Sequence, residues 1–348
     1  MSKILISHPI DPETADDLGL REVYYPLNKE LAGVDEPIFY APNSGEECLY
    51  IPTIATKQQP DEEHDPSLEV LRQVLVTFQP DVLIAGNNAV PGTALYAWRQ
   101  AVGHTRSLRV IRRGVDTRAI DRQAANEQSV SVGNLPGINS PYVARHQVQQ
   151  LKLNEAQPNS KIAVIGVGNI GKNIALNALI LGLDVHLFSP SLQNPARRNI
   201  TLLERSIPPE RVTCAPSLEA AFQDAAYVSV AVPWVNSQGK PNIDMFSQQH
   251  LESVRKNARI SSASPPRMFS SQALAWMNDQ VMRGELYVRI DTAKRLAEEI
   301  KQDYPYLDLA HDVAFAASDC QQALDQAMLK QARNFIAQSQ NRYASVGA

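Results

Sequence analysis

Cysteine is scarce: Cys48, Cys214 and Cys320 are the only three in 348 residues, far apart and without a CxxC spacing. That argues against a disulfide framework or a zinc ribbon, and a reducing, cytoplasmic setting is expected. No apolar run approaches the roughly 18 residues that a membrane helix needs, and the opening MSKILISHP is too short and too soon interrupted for a signal peptide. Nor is positive charge in excess. Lys and Arg total 33 against 37 Asp and Glu, a formal net charge of −4, which leaves no footprint for nucleic acid or an anionic membrane. The seven histidines show no ligand spacing such as HExxH, so a metal hydrolase is disfavoured. There is no fixed-period repeat and no low-complexity tract. What remains is 44% hydrophobic and 20% charged, the make-up of an ordinary globular protein, and the length predicts two domains.

Strand and helix patterns alternate along the chain. Residues 3–7, 81–85 and 108–111 are short apolar runs that predict buried strands, while residues 67–78 and 93–102 carry helical spacing. Residues 21–49 read as irregular, and 56–66 as a polar, proline-bounded loop. After the polar stretch 154–160, a strand (161–165), a glycine turn, a helix (172–183) and a second strand (184–188) follow within about thirty residues. Residues 227–232 and 258–262 predict further strands, and 320–338 a terminal amphipathic helix packed on the first domain. Alternating β and α elements imply α/β architecture, a parallel sheet with helices on both faces.

Gly166, Gly168 and Gly171 form G-x-G-x-x-G between that strand and that helix. In a dinucleotide site the first glycine permits the tight turn, the second lets backbone approach the pyrophosphate, and the third lets helix and strand pack closely. The first helical amides, here of Asn169 and Ile170, face the phosphates. The alternative is a turn with no ligand. NAD sites place an acid at the end of the second strand, but here Ser189 stands 18 residues past Gly171, with Arg197 and Arg198 following in the same loop. A missing carboxylate removes repulsion against a 2′-phosphate, which arginine can bind in a bidentate manner. The expectation is therefore NADP, with NAD still open and solvated surface arginines as the alternative reading.

From here the motifs resemble the D-isomer-specific 2-hydroxyacid dehydrogenases. RGVDTRAID at 113–121 is similar to their G-V-D-x-x-D turn, and VGNLPGINSPYVA at 132–144, containing Asn139, to their N-x-P-G-x-N-S-x-x-V-A hinge. VAVP at 230–233, with Val232 and Pro233, stands at the place of their L-H-x-P loop, and VAFAA at 313–317 resembles the second hinge. The resemblance implies two Rossmann-like doubly wound parallel-sheet domains with the active-site cleft between them. Residues 1–140 with 318–348 would form the substrate domain and 141–317 the dinucleotide-binding domain. It implies that the loop after the second predicted strand, Asn87, Asn88 and Ala89, offers amides to a substrate carboxylate. Asn139, Val232 and Pro233 would line the cofactor site.

Departures accompany the matches. Where the family has S-R-G and its arginine grips the substrate, this chain reads SPPRMFSSQAL at 264–274, so Pro265 stands at the arginine position and Arg267 two residues on. The family glutamate falls on Leu296 and its histidine on Asp312, with His311 one residue earlier. An imidazole exchanges protons near neutral pH, which makes His311 the candidate proton donor, with Arg267 or Arg113 the candidate anion clamp. Each of the three has a plain structural or surface reading as the alternative. Small 2-oxo acids such as pyruvate or glyoxylate are expected to be poor substrates. The segment 145–160 is too short for the helix and arm that usually build the family dimer, which leaves a homodimer open. Two functions follow: a nicotinamide-dependent oxidoreductase acting on a small-molecule 2-oxo or 2-hydroxy acid, carbonyl or imine, or a catalytically silent NAD(P)-binding sensor or partner module.

Overall fold

Runs such as KILI, VLIAG and KIAVI bury side chains on both faces and so become strands between two layers of helix. The computed structural model describes residues 1–43, 45–55, 66–86, 88–104, 106–113, 117, 119–236, 238–310 and 318–346. The chain divides into two units, Met1–Asn139 with Ser318–Ala348, and Ser140–Ala317.

The first unit holds strands β1 (Ser2–Ile6), β2 (Arg21–Val23), β3 (Ile38–Pro42), β4 (Glu46–Tyr50), β5 (Val82–Gly86), β6 (Arg109–Arg112) and β7 (Ser131–Asn134). Their order is β2-β3-β4-β1-β5-β6-β7. The five strands from β4 to β7 run parallel, and β2 and β3 add an antiparallel edge. Alternation along the strands splits the core in two. Leu5, Leu83 and Val110 face Leu71, Phe78, Leu95 and Trp98 of the helices Pro66–Phe78 and Gly92–Val102. Ile4, Ile6, Val82, Ile84 and Ile111 face the other way, onto Leu18 and onto Met328, Leu329 and Ala332 of the terminal helix Ser318–Val346.

The second unit holds β8 (Lys161–Ile165), β9 (Asp184–Phe188), β10 (Val212–Cys214), β11 (Tyr227–Val230), β12 (Arg259–Ser262), β13 (Tyr287–Asp291) and β14 (Asp308–Ala310). The order is β10-β9-β8-β11-β12-β13-β14, parallel throughout. Ile162 and Val164 pack under the helix Asn169–Ile180, whereas Ala163 and Ile165 face Phe222, Phe246 and Met277 on the opposite side. A buried polar pair ties the helix Ser140–Gln150 to this sheet: Ser229 Oγ donates to Gln147 Oε1 at 2.8 Å, and Gln147 Nε2 donates to the Val230 carbonyl at 3.3 Å.

Residues 21–49 are not irregular. They hold β2, the helix Leu27–Ala32, β3 and most of β4. β2 and β3 lie at the sheet edge and are partly solvated, and β4, between β3 and β1, opens with two glutamates. Strands β13 and β14 also escaped the sequence reading, because YVRID and DLA are short and charged. Among the described residues, no helix is long and apolar enough to cross a membrane.

Candidate functional site

In a parallel sheet the loops after each strand gather at one edge, and ligands bind there at the point where strand order reverses. The second unit has the order 3-2-1-4-5-6 with a seventh strand added, and its reversal lies between β8 and β11. The glycine turn follows β8 at that point. Gly166 has φ +89°, and a Cβ on it would stand 2.5 Å from the Ala231 carbonyl oxygen just after β11. A Cβ on Gly171 would meet the Gly166 carbonyl oxygen at 1.8 Å. Both glycines are thus demanded by the chain itself.

Gly168 differs. It caps the helix Asn169–Ile180 with φ −80°, makes no side-chain cap bond, and a Cβ there would meet nothing within 4 Å. The first amides of a twelve-residue helix therefore lie behind a residue whose missing side chain leaves open space. This is a cradle that fits a pyrophosphate, with the helix dipole adding favourable charge. Asn169 is exposed and Ile170 half-buried at its rim.

Ser189 ends β9. Its Oγ lies 3.1 Å from Ser191 Oγ, and Gln193 Nε2 donates to its carbonyl at 3.5 Å and to that of Ala215 at 3.2 Å. Arg197 and Arg198 are not in the loop, as expected from sequence, but in the first turn of the helix Pro195–Glu204. Asn194 caps that helix and Pro195 starts it, a start signal that the sequence does carry. Arg197 is exposed, while the half-buried Arg198 folds back so that its Nε donates to the Leu192 carbonyl at 2.9 Å.

The loop after β11 is locked by serines that the sequence reading passed over. Ser264 Oγ accepts from Val232 N at 2.9 Å and donates to Val232 O at 2.7 Å. Ser262 Oγ in turn donates to the Ser264 carbonyl at 2.8 Å. Val232 is half-buried and Pro233 exposed. Arg267 sits exposed in a short 3-10 turn after β12 and lines a cavity of about 440 Å³ with Trp234, Leu296, Asp244, Glu299 and Asp303. Three carboxylates against one guanidinium make that cavity a poor seat for a free anion.

The first unit reverses its order between β1 and β5, and residues after β1, β5 and β6 meet there. Asn88 is 4% exposed. Its carboxamide donates to the Ser7 carbonyl and, at 2.8 Å, to that of Ile54, so the side chain serves the loop and the backbone is what remains for a ligand. Arg112 Nη1 donates to the Asn88 carbonyl at 3.1 Å, and the Arg113 amide to the Gly86 carbonyl at 3.0 Å. Ala89 is half-buried, as is Asn139 in the first unit's final turn. Asn87, His311, Asp312 and the stretch 313–317 lie outside the described residues.

At this edge the structure adds a pair that the sequence reading missed. His8, two residues after β1, places Nε2 3.2 Å from Asp325 Oδ1, and the backbone amide of Asp11 donates to Asp325 Oδ2 at 2.7 Å. The two residues are 2% and 1% exposed. Burial holds the imidazole below its ordinary basicity, and the neighbouring Arg113 and Arg112 push the same way, against the pull of Asp325. Asp325 breaks the apolar face that Leu324, Met328 and Leu329 form on the terminal helix. A charge at such a position is the signal that would have found it. Among the described residues, no group of three or more His, Cys, Asp or Glu side chains is placed to hold a metal ion.

No protein-family model matches the chain. It is 26% identical to erythronate-4-phosphate dehydrogenase of Acinetobacter baumannii over 158 residues, 44% of this chain and 40% of that protein. It is 27% identical to hydroxypyruvate reductase of Thermotoga maritima over 206 residues, 52% of this chain and 60% of that one. The chain thus spans between two fifths and three fifths of these relatives. Its fold matches the NAD+-bound 3-phosphoglycerate dehydrogenase of Entamoeba histolytica with a TM-score of 0.59 at 14% identity, over 97% of this chain and 95% of the other. In its motif series and in its α/β fold with two parallel-sheet domains, the chain resembles the D-isomer-specific 2-hydroxyacid dehydrogenases.

Proposed function

We propose that the chain is a nicotinamide-dependent oxidoreductase acting on a small 2-oxo or 2-hydroxy acid, or a related carbonyl or imine. The observation that carries this reading is Gly168: an uncapped helix start at the β8–β11 reversal, with empty space where a side chain would stand. In this reading residues 141–317 hold the dinucleotide, and the first unit binds the substrate. When bound, the dinucleotide supplies the hydride acceptor or donor, and the protein's part is placement and electrostatics. Gly168, Asn169 and Ile170 hold the pyrophosphate through backbone amides, and the serine-locked loop at Val232 and Pro233 closes the adjoining wall. Asn139 is a further cofactor candidate on the sequence alone.

The relatives favour a nicotinamide dinucleotide in general, and NADP in particular rests on this chain's own residues. No acid ends β9, Ser189 and Ser191 offer hydroxyls, and Arg197 and Arg198 stand in the first turn of the helix Pro195–Glu204. On the substrate side, the backbone of Gly86, Asn88 and Ala89 with Arg113 is the anion seat, and Asn87 joins it on the sequence alone. Arg267 is the second candidate clamp, in more acidic company. His311 is retained as proton donor on the sequence alone. Three free cysteines accord with a reducing, cytoplasmic setting.

The test has two stages. Nicotinamide fluorescence should report binding of NADPH or NADH, and absorbance at the reduced nicotinamide band should then fall with a member of a panel of 2-oxo acids and imines. Binding without any turnover would favour the silent sensor. Failure to bind either dinucleotide would overturn the proposal.

A further inference from the structure

We propose that His8 and Asp325 form a positioning pair that fixes the substrate-anion loop of the first unit, a role separate from the proton donor sought elsewhere in the chain. This inference rests on the reading of the β1–β5 edge as the seat of an anionic substrate. Three independent observations converge on it.

The first is location. His8 stands at the order reversal of its sheet, after β1, against the residue that ends β5. Gly86 there has φ +59°, and a Cβ on it would lie 2.3 Å from His8 Cγ and 2.4 Å from Nδ1. The ring therefore presses directly on the backbone that begins the loop, a closeness only glycine permits.

The second is orientation. Asp325 accepts at both oxygens, from the Asp11 amide and from the His8 ring. This assigns the ring proton to Nε2 and fixes the ring plane, leaving Nδ1 as an acceptor on the Gly86 side. A carboxylate that sets a histidine's tautomer is the arrangement by which sites hold an imidazole in one pose.

The third is connection. The loop that His8 presses on is bound into one network: Asn88 donates to Ser7 and Ile54, Arg112 to Asn88, and the Arg113 amide to Gly86. A shift of the His8 ring moves Gly86 and Ser7, and with them the backbone amides offered to an anion. Among the described residues, the charged groups that act on the ring are Asp325, Arg112 and Arg113, two cations to one anion. At 2% exposure His8 does not itself touch the ligand. It acts through the loop.

The experiment uses the full chain with oxalate as a planar dianionic probe, measured by calorimetry, and dinucleotide affinity by fluorescence on the same samples. His8→Ala and Asp325→Asn should each weaken oxalate at least ten-fold while changing dinucleotide affinity less than two-fold. In Asp325→Asn the amide group turned to Nε2 drives the ring proton to Nδ1, so the tautomer is reversed and Nδ1 turns from acceptor to donor on the Gly86 side, with little change of volume. His8→Gln, whose amide can still donate to Asp325, should recover oxalate affinity to within three-fold of wild type. A purely structural role would not give that recovery at unchanged fold, and melting temperatures on all variants monitor the fold. Should His8→Ala fail to fold, Asp325→Asn and His8→Gln decide the matter. Wild-type oxalate affinity in Asp325→Asn overturns the positioning pair while leaving the oxidoreductase reading intact. A wild-type chain that binds dinucleotide but no oxalate overturns the anion seat and the pair with it. Failure to bind dinucleotide refutes only the oxidoreductase reading.

Discussion

The three glycines of the turn make a separable test, because only one of them faces outward. Gly171→Ala sets a Cβ 1.8 Å from the Gly166 carbonyl oxygen and 3.0 Å from its carbonyl carbon, both backbone atoms at the end of β8. Neither can swing aside, so helix and strand must part by more than 1 Å. Overpacking of this kind costs about 3 kcal/mol, which for a unit of this size is a melting-temperature loss of roughly 6–12 °C. Gly168→Val has the opposite profile. Its φ of −80° suits any residue and no atom lies within 4 Å of its Cβ. The fold should lose no more than the cap preference, about 1 kcal/mol, or roughly 2–4 °C.

In the ligand-bound state those new methyl groups occupy the space of the pyrophosphate. Losing two charge-assisted hydrogen bonds, at about 1.5–3 kcal/mol each, predicts a fall of about 100-fold or more in dinucleotide affinity. Differential scanning fluorimetry and nicotinamide fluorescence on both variants provide the assay. Expected is a folded Gly168→Val that has lost the dinucleotide, and a destabilised Gly171→Ala. A Gly168→Val protein that folds and binds dinucleotide like wild type refutes the cradle.

Three further outcomes follow from the same geometry. Ser189→Asp should place a carboxylate at the end of β9 and shift preference from NADP toward NAD by at least ten-fold, read from the two dissociation constants; a wild-type protein that already prefers NAD strongly defeats the premise. Ser229→Ala should cost about 1–3 kcal/mol in urea unfolding, since Gln147 Oε1 loses the donor at 2.8 Å in a buried site; a change under about 0.5 kcal/mol contradicts that. For His8 the folded state holds the imidazole below its ordinary value of 6.5, so between the two values the unfolded chain binds more protons. Stability from the neutral ring is whole above pH 6.5 and lost as pH falls below it, and wild type should lose more stability than His8→Gln between pH 7 and pH 5.

Central strands were legible in the sequence because double burial leaves little freedom of composition. The predicted strand 184–188 is observed as Asp184–Phe188, and the predicted helix 67–78 as Pro66–Phe78. Strands that carry charged residues leave a weaker signal even inside a sheet. β4 begins with two glutamates and β13 has an arginine at its centre, Arg289, whose Nη1 reaches Asp308 Oδ2 at 3.1 Å on the neighbouring strand. Such residues are placed by cross-strand partners, and nothing within five residues of sequence records the partner. A helix start can also go unread: Asn194 and Pro195 begin the helix that carries Arg197 and Arg198, which the sequence places in a loop.

The site divides along the same line. A glycine turn is local, so its three positions and their roles can be written from eleven residues, and the structure assigns each a distinct physical reason. The His8–Asp325 pair spans 317 positions, and no periodicity links its members. What the sequence does hold is a pair of local exceptions: a histidine two residues after a buried strand, and an aspartate on the otherwise apolar face of an amphipathic helix. Each exception alone is tolerable on a surface. Burial makes it costly unless another polar group answers it, so two exceptions in elements that pack together point to each other. Asp325 is answered by a ring and by a backbone amide, and that completeness is what lets a charge sit at 1% exposure. The same reasoning separates the two arginine candidates: the Arg113 amide joins the network at the β1–β5 edge, whereas Arg267 stands exposed on a short turn among carboxylates.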